Sequence, residues 1–234
     1  MGIKAGPKIV TNGLIFNIDA AVLRSYSGTG LTANGLIGGI GVTLINGTGF
    51  SSANGGSFFF DGTNDYILSD AISQNNNAPA LTWVVWVKRN ASNSLMTFLQ
   101  YSSLISDISL ELWSNGVIYF EIGNGGNTYG ELNNNSSSWQ NIAMVFDGSG
   151  VDNSTRLKAY INGVQQNLTY GGTTIPSTAG SGNTLYIGNT GPFSSFNSNL
   201  FSSGNFAFFA SYNRALSAQE IKQNYNATKK RYGL

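Results

Sequence analysis

The chain has 234 residues, 10% of them charged, and a formal net charge of +1. That length allows one large domain or two small ones, and the near-zero charge excludes a global field that would draw the protein to nucleic acid. Cysteine and histidine are both absent. Disulfide scaffolds, thiolate or imidazole metal sites and histidine acid–base catalysis are therefore excluded together.

The opening "MGIKAGPKIV" lacks the apolar core of a secretory signal. No apolar run approaches the ~20 residues that span a bilayer. The expectation is a protein made and kept in the cytosol, with residues 1–12 as an N-terminal arm. A first strand is predicted at 13–21, where Leu14, Phe16 and Ile18 alternate with other residues. Two strand pieces at 55–68 flank the turn signal Asp61-Gly62. "LTWVVWVKR" (81–89) is apolar on both faces, which predicts a central strand covered on both sides.

Residues 108–124 read as two strands around Asn115-Gly116, a strong hairpin signal. Strands follow at 139–149 and at 155–165, the second turning at Asn162-Gly163, then at 183–189 and 204–214. Residues 73–79 and 131–139 read as polar loops. The Ser/Asn-rich loop 193–205 carries three Phe and is expected to pack down. Strands at intervals of roughly ten residues favour a sandwich or barrel over βαβ units. No linker divides the chain, so residues 1–234 are read as a single all-β domain.

One helix closes the chain at 217–231. Ser217 and Glu220 form the S-x-x-E capping box. Ile221 and Tyr225 lie one turn apart, and with Leu216 they are expected to dock on the sandwich. Lys229, Lys230 and Arg231 fall where the helix dipole favours cations. From Tyr212 onward there are five basic residues and one acidic, a net of +4; residues 1–211 hold seven basic and ten acidic, a net of −3. Two readings of the basic end stand: it lies against its own acidic sandwich, or Lys229, Lys230 and Arg231 dock onto an acidic partner. The run is too short for nucleic acid and lacks interleaved stacking aromatics.

"FDGTNDYI" (60–67), "WQNIAMVFDG" (139–148), "LKAYINGV" (157–164), "LYIGN" (185–189) and "YNRALSAQEI" (212–221) occur in order. Together they resemble the laminin-G-like domains of the concanavalin A-like lectin/glucanase superfamily, over nearly the whole chain from about Gly13. The resemblance implies a two-sheet antiparallel jelly roll. The opening "GPKIVTNGLIFNIDAA" and the ending "YNRALSAQEIKQNYNATKKRYGL" look like the version found in structural proteins of tailed bacteriophages, cyanophages included.

The resemblance thus implies a non-enzymatic virion protein, assembled in the host cytoplasm and displayed on the particle surface. Its implied partners are capsid or tail subunits and host surface glycans, with no membrane and no nucleic acid; homo-oligomerisation is left open. The chain has no heptads or collagen-like stalk, so capsid decoration or a small tail-surface component is expected rather than a whole fibre. A bacterial carbohydrate-binding module is the alternative.

Two departures bear on chemistry. Residues 31–47 are more apolar and glycine-rich than in relatives. "FAFFAS" (206–211) lacks the carboxylates that relatives place before "YNRALS", so no calcium and no other cofactor is expected. Asp19, Asp61 and Asp65 are the candidate metal ligands, against the plainer reading of Asp61 and Asp65 as turn and loop residues bonding backbone amides. For sugar binding the candidates are Tyr101, Trp113 and Tyr129, beside loops, with core or edge cover as the plainer reading. Trp83, Trp86 and Trp139 are predicted core.

Catalysis is not expected, because the glucanase pattern E-x-D-x-x-E is missing. The nearest acidic pair is Glu111 and Glu121, flanking Asn115-Gly116. A two-residue turn there puts the carboxylates on opposite faces and a three-residue loop puts them on one face, so the register decides.

Overall fold

The computed structural model describes residues 7–103, 106–123, 128–182, 184–191 and 200–234; the side chains of 101–103, 106 and 107 lie outside that description. Among the described residues, strands form two antiparallel sheets of eight and nine strands. The first runs β14 (Val164–Gln166), β13 (Leu157–Ile161), β12 (Gln140–Asp147), β7 (Ala80–Arg89), β17 (Ser203–Tyr212), β5 (Ser57–Asp61) and β4 (Gly49–Ser51). β1 (Leu14–Asp19) pairs with the C-terminal half of β17. The second runs β15 (Thr169–Gly172), β11 (Thr128–Asn133), β10 (Val117–Ile122), β9 (Ser106–Leu112), β8 (Met96–Ser103), β16 (Thr184–Ile187), β6 (Tyr66–Asp70), β3 (Gly41–Ile45) and β2 (Thr32–Asn34). This is the two-sheet sandwich expected of a concanavalin A-like jelly roll.

Each predicted strand region is found. β8 is additional, as are the short strands β2, β3, β4, β11 and β15. The expected polar loop at 131–139 gives way at its start to β11. That strand offers Thr128, Gly130 and Leu132 to the core side, only one of them a large apolar residue, so its own sequence carries little hydrophobic alternation. Pairing with β10 and β15 holds it.

The main core lies between the sheets. Trp83 packs on Phe209 edge-on at 5.2 Å, and Phe58 stacks on Phe206 at 5.8 Å. A register shift between Phe206 and Phe208 lets β17 send both Phe206 and Phe209 inward.

A second apolar cluster forms on the outer face of the eight-stranded sheet, as the doubly apolar sequence of β7 predicts. Val84, Trp86, Val145, Phe208 and Tyr212 are covered there by Leu216, Ile221, Tyr225 and Tyr232. The covering segment is α2 (Ala218–Thr228; α1 is the single turn Asn153–Arg156 after β12) and a 3-10 turn at Lys229–Tyr232, so the predicted helix is tightened over its last residues. Trp86 stacks on Tyr232 at 4.0 Å, and its indole N–H donates to Thr228 Oγ1 at 2.8 Å. Trp139 differs from expectation: it lies just before β12, half-buried, with its ring 4.7 Å from Tyr232. The arm from residue 7 joins the same face, where Val10 N donates to Asn224 Oδ1 at 2.7 Å and Gln223 Nε2 to Lys8 O at 2.9 Å.

The cap of α2 is a closed circuit. Ser217 Oγ accepts from Glu220 N, and Glu220 Oε2 accepts from Ser217 N. Arg214 then clasps both carboxylate oxygens at 2.9 and 2.6 Å. This clasp, first, and the cap hold the Glu220 carboxyl down at about 2.

Arg89, at the end of β7, is 1% exposed. Its guanidinium donates to the carbonyls of Trp113, Asn134 and Ser136. It thereby ties the eight-stranded sheet to the hairpin end of β9 and to the loop after β11. Its recorded hydrogen bonds all go to carbonyls, and burial lowers its pKa. Only a planar fork reaches three divergent carbonyls.

Two stability outcomes are expected. Glu220→Gln should cost about 1 kcal/mol, measured by urea unfolding at pH 7. Because the folded carboxyl lies below its ordinary value of 4.5, the wild-type advantage should be complete above about pH 4.5 and vanish as pH falls towards 2. Arg89→Lys should cost on the order of 3 kcal/mol, since an ammonium leaves buried carbonyls unmatched; a loss under about 0.5 kcal/mol would contradict the tie between the sheets.

Candidate functional site

The two outer faces of the sandwich differ in kind. The face of the eight-stranded sheet is sealed by the C-terminal segment. On β9 and β10, Ile108, Leu110, Leu112, Ile118, Phe120 and Ile122 point into the core, so Ser109, Glu111, Tyr119 and Glu121 lie on the other face, where Ser109 and Glu111 are buried and Tyr119 and Glu121 half-buried. On β11, Tyr129 and Glu131 share that outer face.

Register arranges them in rows. Glu111 is opposite Tyr119, and Tyr119 is opposite Glu131; Ser109 is opposite Glu121, and Glu121 is opposite Tyr129. Acid and aromatic alternate along and across the strands. Glu111 and Glu121 are diagonal neighbours, for which separations of about 7–8 Å are usual.

The loop that decides this is three residues long. Trp113 N donates to Val117 O at 2.8 Å, enclosing Ser114, Asn115 and Gly116. Gly116 has φ 80°, which closes a type I turn with a left-handed residue. Glu111 and Glu121 therefore share one face.

The carboxylates are oriented by neutral donors. Trp113 Nε1 donates to Glu111 Oε2 at 2.7 Å, and Ser109 Oγ reaches Glu121 Oε2 at 3.4 Å. Tyr119 is bonded to Glu131; its phenol pKa is raised by burial first and by the charge of Glu131 second. The two tyrosine rings meet edge-on at 5.4 Å. Tyr129 lies across Gly171, its neighbour on β15: a β-carbon there would meet the ring at 2.3 Å. Gly171 thus makes the space in which the ring lies, a role invisible without the pairing of β11 and β15.

Trp113 and Tyr129, two of the sugar-contact candidates, lie on the same face but apart, Trp113 at the hairpin end beside Glu111 and Tyr129 opposite Glu121. Tyr101 lies on β8, and its side chain is outside the described residues. Tyr119 escapes a reading of loops because it occupies a strand interior, while Glu131, read as the start of the loop 131–139, lies in β11. In the predicted Phe-rich loop, Phe193 and Phe196 lie outside the described residues, while Phe201 packs on Tyr66 at 6.3 Å.

The three aspartates are placed separately. Asp19 receives Arg231 through both oxygens, at 3.0 and 2.9 Å, and caps Ala21 N at 2.9 Å. Asp61 Oδ1 accepts from Thr63 N, and Asp65 Oδ2 from Asp61 N. Burial pushes the Asp65 carboxyl up. Among the described residues, no three acidic side chains lie close enough to hold a metal ion.

The basic run is divided as well. Arg231 is spent on Asp19, Lys229 lies 5.1 Å over the Tyr225 ring, and Lys230 is exposed.

No curated protein matches the chain in sequence. Solved structures do match in shape. The receptor-binding domain of botulinum neurotoxin type G is 14% identical with a TM-score of 0.61, over 92% of this chain and 51% of that one. The serotype D binding domain is 14% identical with a TM-score of 0.63, over 91% and 51%. The sialidase of Trypanosoma rangeli is 14% identical with a TM-score of 0.65, over 97% and 36%. The chain thus spans about half of the neurotoxin domains and about a third of the sialidase. At such identities the likeness is one of fold. In sequence, the model of the laminin-G-type family Laminin_G_3, described as the Concanavalin A-like lectin/glucanases superfamily, matches residues 61–222, and the chain belongs to that family.

Proposed function

We propose that the protein is a non-enzymatic, glycan-contacting module on the surface of a tailed-bacteriophage particle, as capsid decoration or a small tail-surface component assembled in the host cytoplasm. The glycan half rests on one observation: the outer face of the nine-stranded sheet carries half-buried Trp113, Tyr119 and Tyr129 among hydrogen-bonding carboxylates. Rings of this kind stack on sugar faces, and carboxylates accept from hydroxyls. The names of the structural neighbours, toxin receptor-binding domains and a sialidase, support a role of this kind for the fold. The virion half rests on the sequence resemblance at residues 212–234. On the helix side, Lys222, Lys229 and Lys230 would face an acidic partner subunit.

Hydrolysis is left out of this reading for a physical reason. Glycoside cleavage requires one carboxyl held protonated near neutral pH. The sequence lacks the clustered acids, E-x-D-x-x-E, that would supply such a carboxyl and its partner. Neither a metal nor a cofactor enters the reading.

Mass spectrometry of purified particles should find the chain in stoichiometric amount, and a glycan panel should show binding without turnover. Absence from particles together with glycan binding would leave a bacterial carbohydrate-binding module. Turnover abolished by Glu111→Gln would make it an enzyme. Gly171→Ala should displace the Tyr129 ring and weaken glycan binding about tenfold, with Tm shifted by no more than about 2 °C; unchanged binding would remove Tyr129 from the contact surface.

A further inference from the structure

β3 begins with a glycine that the fold does not require. Gly41 lies outside the left-handed backbone region, and a β-carbon added there would meet nothing within 4 Å. Register runs without a shift from β2 through β3 to β6, so no bulge calls for a glycine. A glycine in a strand weakens the sheet; where no bulge or bend explains it, it marks a place that a ligand or another backbone approaches closely. No neighbouring backbone or side chain of the chain occupies the space beside Gly41.

That space is part of a groove of about 530 Å³ across β2, β3, β6 and β16. It lies at the opposite end of the nine-stranded sheet from Trp113 and Tyr129. Ala33, Val42, Ile67 and Leu185 point into the core, so alternation turns Asn34, Thr43, Leu68, Asp70 and Thr184 to the groove. Asn34 is opposite Gly41, Thr43 opposite Leu68, and Asp70 opposite Thr184. Asn34, Gly41, Thr43 and Asp70 are exposed, while Leu68 and Thr184 are half-buried. Among the described residues, the side chains of Asn34, Thr43, Asp70 and Thr184 make no hydrogen bond or ion pair.

We infer that this groove is a binding site for a neutral sugar ring, separate from the Trp113–Tyr129 surface and independent of it. Its volume falls in the range of about 300–1,000 Å³ usual for small-ligand clefts. No basic side chain lines it, so an anion would meet only the charge of Asp70. One carboxylate is too few to hold a hard cation. An apolar ligand would strip water from a carboxylate, an amide and two hydroxyls without replacing it. A sugar ring answers each group: adjacent hydroxyls donate to Asp70, the side chains of Asn34, Thr43 and Thr184 both donate and accept, and a C–H face lies on Leu68.

The test is NMR titration of the isotope-labelled whole chain with methyl α-mannoside, methyl α-glucoside, sodium glucuronate and calcium chloride. A neutral glycoside should shift the amide resonances of Asn34, Thr43, Asp70 and Thr184 with Kd on the order of 1 mM, and glucuronate should bind about fivefold more weakly. Asp70→Asn should weaken the neutral glycoside about tenfold. Gly41→Val, whose β-carbon is clear of every neighbour, should abolish the shifts and leave Tm unchanged or raised. Sugar binding abolished by Gly171→Ala and untouched by Gly41→Val would overturn the groove and leave the earlier glycan surface standing; the converse result would support the groove alone. Glucuronate or calcium bound in the groove more tightly than the neutral glycosides would overturn the assignment to a neutral sugar, and no shift with any of the four would overturn the site.

Discussion

Trp86 and Tyr232 lie ring on ring at 4.0 Å, with the indole N–H closed off by Thr228. Their contact is the centre of the constraint under which the chain folds. Its eight-stranded sheet is apolar on both sides, and a second apolar face cannot be left to water. The chain answers with its own ends. α2 and the turn after it lie over Trp86, Val145 and Tyr212, and the arm before β1 is clipped in place by Asn224. The capping box, the Arg214–Glu220 clasp and the Arg231–Asp19 pair all hold this cover. A helix of eleven residues is marginal alone, so its formation and the sealing of the sheet are one event.

Sealing one face decides the other. The outer face of the nine-stranded sheet is only partly open: Trp113, Tyr119, Glu121, Tyr129 and Glu131 are half-buried there, whereas Thr97, Ser109 and Glu111 are buried. Charge follows the same division: the C-terminal segment holds the basic excess, and the nine-stranded sheet holds only acids. The buried guanidinium of Arg89 joins the two halves mechanically. It is anchored in the sealed sheet and grips the carbonyl of Trp113, whose indole in turn orients Glu111. The outer rows are therefore positioned from within the core.

The fold was legible in the sequence where hydrophobic period and turn chemistry were strong. β7, β12, β17 and the capped helix announce themselves, and the double apolar face of β7 foretold the cover. β11 did not, because of its inward residues Thr128, Gly130 and Leu132 only Leu132 is a large apolar residue, and its neighbours supply the order. The site was half legible. Trp113 and Tyr129 stood out as aromatics beside loops, but their sharing a face with Tyr119 and three glutamates depends on one register. That register turns on whether Asn115-Gly116 closes two residues or three, a choice that its dipeptide leaves open. The aspartates show the converse: Asp19 reads as a hard oxygen ligand until its distant partner, Arg231, is seen beside it.

The strand orders end in β14, β4, β15 and β2, each three or four residues long, and the six-residue β1 beside β17 is itself bridged to Ile37 at Asn17. A border so short offers few free amides and carbonyls to a foreign strand. Copies held shoulder to shoulder at high local density would therefore have little backbone with which to zip into a continuous sheet. The same stunted borders that close each sheet also keep crowded neighbours as separate molecules.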